Sequence, residues 1–127
     1  MKLSGVDSVR MVPMLIVMGT IFFLSNQPGD ALYMPPLPWF DKAAHLVIYA
    51  LLAISVLYGF FPLLKEKNIA AVTLSVVVFC VLYGISDEFH QYFIPGRFVS
   101  VGDIAADGAG ALLACGAWIL WRALFQR

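Results

Sequence analysis

The sequence is poor in charge: Asp, Glu, Lys and Arg make up 13% of its 127 residues, whereas soluble domains carry roughly 25%. Its two cysteines are too few for a disulfide-rich scaffold. No sign of charge prevails, because eight Lys and Arg balance eight Asp and Glu, which excludes a protein that binds nucleic acid mainly by electrostatic attraction. Hydrophobic residues make up 61% of the chain, which excludes disorder and predicts a small integral membrane protein.

Four apolar runs predict four transmembrane helices, since a helix of roughly 20 apolar residues spans the hydrocarbon core of a bilayer. The first run could also be a signal peptide, but the nearest small-x-small triplet, Gly29-Asp30-Ala31, lies well beyond its end. The predicted fold class is therefore all-α, an integral membrane bundle of four transmembrane helices that forms one domain over residues 1–127. The predicted helices are about 9–25, 42–64, 69–93 and 101–122.

Lysine and arginine are distributed unequally between the two ends of the predicted bundle. The positive-inside rule places the richer side in the cytoplasm. With four spans, this side includes the amino terminus, the loop at residues 65–68 and the carboxyl terminus, so both termini are predicted to be cytoplasmic. That side holds Lys2, Arg10, Lys65, Lys67, Arg122 and Arg127, and the other side holds only Lys42 and Arg97.

The fourth predicted helix carries a small residue at every fourth position: Gly102, Ala106, Gly110 and Ala114. Such a stripe lets a second backbone approach the helix closely. We favour packing of this stripe within the chain, and a homo-oligomer that forms through it is the alternative.

Polar residues gather at the helix ends that are predicted to face away from the cytoplasm. Spans of alternating direction bring the ends of helices one and three and the starts of helices two and four to this face. Several of the polar residues are four positions apart, as Asp41 and His45 are, and therefore share one helix face. The candidate ligand-binding residues are Asp41, Lys42, His45, Asp87, Glu88, Gln91, Arg97, Ser100, Asp103 and Asp107.

Some of these residues also have a simple structural interpretation. Asp41 and Asp103 begin helices, where a carboxylate is stabilised by the helix dipole. The segment from Ser100 to Asp103 resembles a capping box, with Asp in place of Glu. We also expect Asp41 to form a hydrogen bond with His45, one turn further along the same helix.

The adjacent carboxylates of Asp87 and Glu88 are harder to explain by helix capping. They lie near the carboxyl end of helix three, where the helix dipole disfavours negative charge, and they repel each other. A partner is therefore needed, and we expect Arg97, Lys42 or a divalent metal ion to supply it.

These residues form three ordered motifs, together with a shorter segment at the end of helix one. The motifs are Asp41-Lys42-x-x-His45, Asp87-Glu88-x-x-Gln91 and Pro95-x-Arg97-x-x-Ser100-x-x-Asp103, and the segment is Leu24-Ser25-Asn26-Gln27-Pro28. This ordered set resembles the VanZ-like family of small bacterial membrane proteins over roughly residues 10 to 120. One departure is Asp107, where the family commonly has Asn.

The resemblance implies a multi-pass protein of the bacterial inner membrane with a role in the cell envelope. The family's namesake is associated with resistance to the glycopeptide antibiotic teicoplanin. The resemblance implies no particular reaction, so the chemistry has to be argued from the residues.

The residues support competing functions. We favour a protein that binds or handles the headgroup of an envelope lipid or glycolipid, with Lys42 and Arg97 holding the phosphate of an anionic lipid or cell-wall precursor. One alternative is a membrane-embedded hydrolase that uses a divalent cation bound by Asp87, Glu88 and His45. Another is a structural subunit that stabilises a partner. We favour binding over catalysis, assign no cofactor, and expect the lipid bilayer rather than nucleic acid as the partner.

Overall fold

The structure is a computed structural model and describes residues 7–33 and 35–126 of the chain. This part of the chain is helical and contains no strand. A 3₁₀ turn at Ser8–Met11 precedes the α-helices α1 (Val12–Ser25), α2 (Phe40–Leu64), α3 (Ile69–Gln91) and α4 (Val101–Phe125). Four helical segments, the first of them comprising the 3₁₀ turn and α1, are long and apolar enough to cross a membrane. The predicted all-α membrane bundle is therefore confirmed.

The bounds of α3 follow from the residues at its two ends. The side chain of Asn68 caps the helix by accepting hydrogen bonds from two backbone amides of its first turn. At the other end the helix stops at Gln91 rather than at residue 93 as predicted. Ile94 precedes Pro95, and a proline disfavours helical backbone in the residue before it, so the chain turns here.

The other helices also differ at their ends from the sequence prediction. Regular α-helix begins at Val12 rather than at residue 9, with Pro13 in its first turn, where a missing amide costs no hydrogen bond. Helix α2 begins at Phe40 instead of residue 42, and α4 continues to Phe125 instead of residue 122.

Helix α2 is the central helix: it contacts each of the other three helices and packs most extensively against α4. Glycine permits this packing, because a Cβ at Gly110 would overlap the backbone carbonyl oxygen of Leu46. The predicted small-residue stripe thus faces α2 inside the chain at this position. The core that the helices enclose includes Met14, Ile21, Tyr49, Leu52, Cys80, Ala111 and Cys115.

Large apolar side chains cover the outside of the bundle. Leu74, Leu82 and Leu113 are each more than half exposed, although each lies in the middle of a long helix. A water-soluble bundle would bury such residues, whereas helices that face hydrocarbon present them to the lipid.

One end of the bundle holds the start of α1, the connection between α2 and α3, and the end of α4. Arg122 Nη2 donates a hydrogen bond of 2.7 Å to the backbone carbonyl of Lys65 there. Of the basic residues predicted to be cytoplasmic, Lys2 and Arg127 lie outside the described residues. The others are found at this end and are Arg10, Lys65, Lys67 and Arg122.

Candidate functional site

The predicted site residues lie at the opposite end of the bundle, where α1 and α3 finish and α2 and α4 begin. We call this the polar end. Here Ser25 of α1 donates a hydrogen bond to Asp87 of α3, Lys42 of α2 donates one to Ser100 just before α4, and the amide of Ser100 donates one to Glu88 of α3. Burying a polar group is costly unless it has a hydrogen-bond partner or a bound ligand. The buried polar residues of this end are Ser25, Asp87, Glu88, Gln91, Asp103 and Asp107.

The ammonium group of Lys42 is surrounded by acceptors from the chain. Its Nζ lies 2.8 Å from Asp41 Oδ2, 2.6 Å from Asp103 Oδ1 and 3.3 Å from Ser100 Oγ. The contacts with Asp41 and Ser100 are hydrogen bonds, and the contact with Asp103 is an ion pair. The positive charge of Lys42 is therefore compensated within the protein rather than left for an anionic ligand.

His45 lies between two carboxylates of α4. Its Nδ1 is 2.8 Å from Asp107 Oδ1, and its Nε2 is 3.8 Å from Asp103 Oδ2. The predicted hydrogen bond between Asp41 and His45 is wrong, because Asp41 pairs with Lys42 and no such bond exists in the described part of the chain. Packing of α4 on α2 brings other carboxylates to the imidazole, and sequence spacing within α2 could not show this.

Glu88 is 1% exposed and connects the end of α3 with the start of α4. Its Oε2 accepts a hydrogen bond of 2.9 Å from the backbone amide of Ser100. The predicted capping box is wrong, since the side chain of Ser100 makes no capping hydrogen bond and Asp103 pairs with Lys42. The other carboxylate oxygen, Glu88 Oε1, has no hydrogen-bond partner among residues 7–33 and 35–126.

Asp87 is held by α1 and by its own helix. Ser25 Oγ donates a hydrogen bond to Asp87 Oδ1, and Gln91 Nε2 lies 3.3 Å from Asp87 Oδ2 and 3.1 Å from Ser25 Oγ. Hydroxyl and amide donors thus supply the partners of this carboxylate. Neither Arg97 nor Lys42 forms a close ion pair with Asp87 among the described residues: Lys42 pairs with other carboxylates, and Arg97 acts on Asp87 through its charge at longer range.

A cavity of about 200 Å³ lies at the polar end between α1, α2 and the end of α3. Ile21, Leu24 and Ile48 are among its apolar lining residues. The guanidinium of Arg97 is half-buried and forms no hydrogen bond or ion pair with any residue that the structure describes. Its charge acts at longer range on the buried carboxylate of Asp87, which lines the same cavity. The polar lining residues are Ser25, His45, Tyr49, Asp87, Gln91 and Arg97.

Two Pro-Gly turns hold the backbone next to Arg97 in place. The amide of Gly29, in the loop after α1, donates a hydrogen bond of 3.0 Å to the carbonyl of Pro95. A Cβ at Gly29 would overlap the carbonyl oxygen of Gly96, so only glycine allows this approach. Gly96 itself has a φ of 74°, a conformation that glycine adopts without strain. The two loops are thereby joined immediately before Arg97.

Three of the predicted site residues could bind one cation together. A ligand atom from each of His45, Glu88 and Asp103 lies within 4.8 Å of the other two. These residues belong to three different helices, so the set exists only in the folded chain. One imidazole nitrogen and two carboxylate oxygens are donors that suit a divalent cation. Asp87, which the hydrolase hypothesis includes, is not part of this set.

Besides Ser25, which belongs to the motif segment after helix one, two residues of the site were not among the sequence candidates. A Cβ at Gly84 would overlap Asp107 Oδ2, so this glycine makes room for the buried carboxylate. Tyr49 lines the cavity, and its buried hydroxyl has no hydrogen-bond partner among the described residues. Gly84 precedes Asp87 by one helical turn, and Tyr49 follows His45 by one turn. Sharing a helix face with a predicted site residue is the signal by which the sequence could identify them.

The chain was compared with protein families, curated proteins and solved structures. The family model described as VanZ/LLP1 matches residues 10–122. The match covers α1 to α3 completely and most of α4, and so includes every residue of the polar end named above. The comparisons with curated proteins and with solved structures found no match.

Proposed function

Because the chain belongs to the VanZ/LLP1 family and forms a multi-pass membrane bundle, we propose that it binds the headgroup of an anionic envelope lipid or glycolipid in the cavity at the polar end. By the positive-inside rule, the distribution of lysine and arginine favours the extracytoplasmic side of a bacterial inner membrane for this end. A lipid-linked cell-wall precursor is the ligand that would connect this site with the teicoplanin resistance associated with the family's namesake.

The observation that carries the proposal is the state of Arg97. Arg97 lines the cavity without a close ion-pair partner among the described residues, whereas Lys42 is paired with two carboxylates. A guanidinium presents paired donors that match two oxygens of a phosphate. We therefore assign the phosphate or pyrophosphate of the ligand to Arg97 alone, and Lys42 to the internal structure of the site.

The lining of the cavity fits an amphiphile with a polar headgroup. Apolar side chains such as Ile21 and Ile48 form part of the wall, and Ser25 and Gln91 contribute polar groups. A drug-sized ligand needs roughly 300–1,000 Å³, so a cavity of about 200 Å³ accommodates part of a headgroup and not a whole lipid. The acyl or polyprenyl chain would then lie along the apolar outer surface of the helices.

The buried carboxylate of Asp87 limits which headgroups can bind in the cavity. It lines the same cavity as Arg97, and it would repel a phosphate placed beside it. A carboxylate does accept hydrogen bonds from hydroxyl and amide groups. A headgroup that joins a phosphate to a sugar or an amide matches both residues, which favours a glycolipid over a simple phospholipid.

Native mass spectrometry of the protein purified in detergent tests this proposal. We expect the wild-type spectrum to contain an adduct with the mass of a polyprenyl-phosphate sugar or an anionic phospholipid. Arg97→Ala should lose the adduct, because no other guanidinium of residues 7–33 and 35–126 lines the polar cavity. Arg10→Ala is the matched control: it removes the same charge at the opposite end of the bundle and should keep the adduct.

The proposal is overturned if Arg97→Ala keeps the adduct at the wild-type occupancy. It is also overturned if the wild-type protein is a bare polypeptide when extracted gently from native membranes. The second result would favour the alternative role as a structural subunit that stabilises a partner.

A further inference from the structure

We infer that His45, Glu88 and Asp103 form a binding site for one divalent transition-metal ion at the polar end, with Asp107 orienting His45. The inference rests first on convergence: a ligand atom from each of these residues lies within 4.8 Å of the other two. Helices α2, α3 and α4 contribute one ligand each, so the site sits where the three helices meet.

The imidazole of His45 is oriented as a metal ligand. Asp107 is fully buried, and its Oδ1 lies 2.8 Å from His45 Nδ1. An ionised Asp107 can only accept, and in that state of the site Nδ1 is the donor and the lone pair of a neutral ring lies on Nε2. Metal-binding histidines commonly donate their second ring N–H to a carboxylate in this way. Nε2, which lies 3.8 Å from Asp103 Oδ2, is consequently the nitrogen available to a metal ion.

The distance between the side chains of His45 and Asp103 suits two ligands of one metal ion better than a direct hydrogen bond. His45 Nε2 and Asp103 Oδ2 are 3.8 Å apart, which is too long for a hydrogen bond. Two ligands that each lie about 2.0–2.2 Å from one metal ion are separated by roughly 3–4 Å. Lys42 does not compete for this oxygen, because it pairs with Asp103 Oδ1.

Glu88 provides a second, independent observation that points to a ligand. The residue is 1% exposed, and its Oε1 has no hydrogen-bond partner among residues 7–33 and 35–126. Its Oε2 is fixed by the backbone amide of Ser100, so the carboxylate cannot turn freely to find a partner. A buried carboxylate oxygen without a partner is costly, and a bound cation would satisfy it.

The donor set indicates the kind of ion. One imidazole nitrogen and two carboxylate oxygens suit borderline ions such as Zn²⁺ and Mn²⁺ better than soft ions that prefer thiolates. Three protein ligands leave one position of a tetrahedral ion open, as in catalytic rather than structural zinc sites. The site does not involve Arg97, so the metal and the anionic headgroup are separate inferences with separate tests.

The test is metal binding by the full chain in detergent, after removal of metal with a chelator. Isothermal titration with Zn²⁺ and with Mn²⁺ should give one ion per wild-type chain, and elemental analysis after dialysis should agree. Asp107→Asn should weaken binding roughly 10- to 100-fold, the usual loss when the carboxylate behind a histidine ligand is changed. Glu88→Gln and Asp103→Asn should each weaken it at least that much, because each removes a ligand.

Asp41→Asn is the matched control. Asp41 and Asp103 both pair with Lys42, so each Asp→Asn change removes one partner of the same ammonium group. Only Asp103 belongs to the converging set, and Asp41→Asn should therefore bind metal as the wild type does. Equal losses in the two variants would overturn the site, because the effect would then belong to the charge around Lys42.

The wild-type protein provides the measurement that does not depend on folding of a variant. Co²⁺ bound to one nitrogen and two oxygens in a tetrahedral site should give visible absorption, and Zn²⁺ should displace it. Absence of a stoichiometric Zn²⁺, Mn²⁺ or Co²⁺ ion in the wild type would overturn the inference. That result would leave the lipid-binding proposal standing, because its test compares the lipid adduct of the wild type with that of Arg97→Ala.

Discussion

Lys42 and Arg97 are both basic residues at the polar end, and their surroundings differ. Lys42 has a carboxylate from α2 and another from α4 within 3 Å of its ammonium nitrogen. Arg97 lies in the loop before α4 and lines a cavity without such a partner among the described residues. The proposed anion therefore belongs to Arg97, although the sequence motifs present the two residues as equivalent candidates.

The hydrogen bond from Ser25 to Asp87 yields a prediction at the level of one side chain. Ser25→Ala removes a donor from a carboxylate that is buried between α1 and α3. Leaving such a group with fewer partners costs about 1–3 kcal/mol. We expect the unfolding free energy of the detergent-solubilised protein to fall by this amount in a denaturant titration followed by circular dichroism.

Ser75→Ala serves as the control for this measurement. Ser75 is exposed, and its hydroxyl donates a hydrogen bond of 2.8 Å to the backbone carbonyl of Ala71 in its own helix. Its removal leaves no buried group without a partner, so stability should stay close to that of the wild type. An equal loss in both variants would show that the Ser25–Asp87 bond has no special role in joining α1 to α3.

At the level of elements, α2 and α4 form the closest helix pair of the bundle. Gly110 allows this contact, since its Cα faces the backbone of α2 at Leu46 and Ala50. The close approach brings the first turns of α2 and α4 together, and with them His45 and Asp103. The small residues of α4 therefore position the site through the packing of the two backbones.

Gly110→Leu should separate these two helices. A Cβ at this position already overlaps the carbonyl oxygen of Leu46, and leucine would add further atoms. Overpacking of this kind costs about 1–3 kcal/mol or more. We expect a lower midpoint of thermal unfolding in detergent, with Gly116→Leu as the control, because a Cβ at Gly116 on the same helix meets no atom within 4 Å.

The same pair of variants distinguishes packing within the chain from a homo-oligomer. If the stripe of α4 joined two copies, Gly110→Leu would change the particle mass in size-exclusion chromatography and leave the unfolding midpoint of the monomer unchanged. Packing of the stripe against α2 predicts an unchanged particle mass and a lower unfolding midpoint.

At the level of the whole molecule, the buried carboxylates and most of the described basic residues occupy opposite ends of the bundle. The buried carboxylates lie at the polar end. At the other end, the guanidinium groups of Arg10 and Arg122 lie 4.8 Å and 5.0 Å from the ring centres of Tyr58 and Trp118. Basic and aromatic residues at one level are typical of the cytoplasmic boundary of a membrane protein.

This distribution predicts the orientation of the chain, which cysteine labelling can measure. Asp30→Cys places an exposed thiol in the loop after α1, at the polar end, and Glu66→Cys places one in the loop after α2. A membrane-impermeant maleimide should label Asp30→Cys on intact spheroplasts and Glu66→Cys only after the membrane is opened.

The wild-type chain is the control, because Cys80 and Cys115 are buried and should remain unlabelled. Labelling in the reverse order would place the polar end in the cytoplasm. The proposed ligand would then have to be a cytoplasmic lipid precursor rather than an extracytoplasmic one.

The sequence permits prediction of the fold because hydrophobic run length is a local property. The apolar runs identify all four spans, and only their ends differ, as where α3 stops at Gln91 because of the turn before Pro95. Alternating spans also predict which residues share an end of the bundle. For this reason the predicted site residues could be assigned to the polar end before the fold was known.

The pairing of those residues depends on tertiary structure. Within α2 the sequence suggests Asp41 as the partner of His45, and at the start of α4 it suggests a capping box from Ser100 to Asp103. Because α4 packs on α2, His45 pairs with Asp107 instead. The turn before α4 lets the backbone amide of Ser100 donate a hydrogen bond to Glu88. Side chains from different helices meet at distances that helical spacing does not encode.

The sequence by itself therefore determined the class of protein, the number of spans and the end at which the polar residues gather, since these follow from hydropathy and parity. Only the tertiary structure decided that Lys42 pairs with Asp103 as well as with Asp41, that Arg97 lines a cavity, and that Glu88 keeps an oxygen without a hydrogen-bond partner among the described residues. The physical reason is that charge compensation within a bundle depends on which helix faces are in contact. That contact is set here by a close approach of backbones at Gly110.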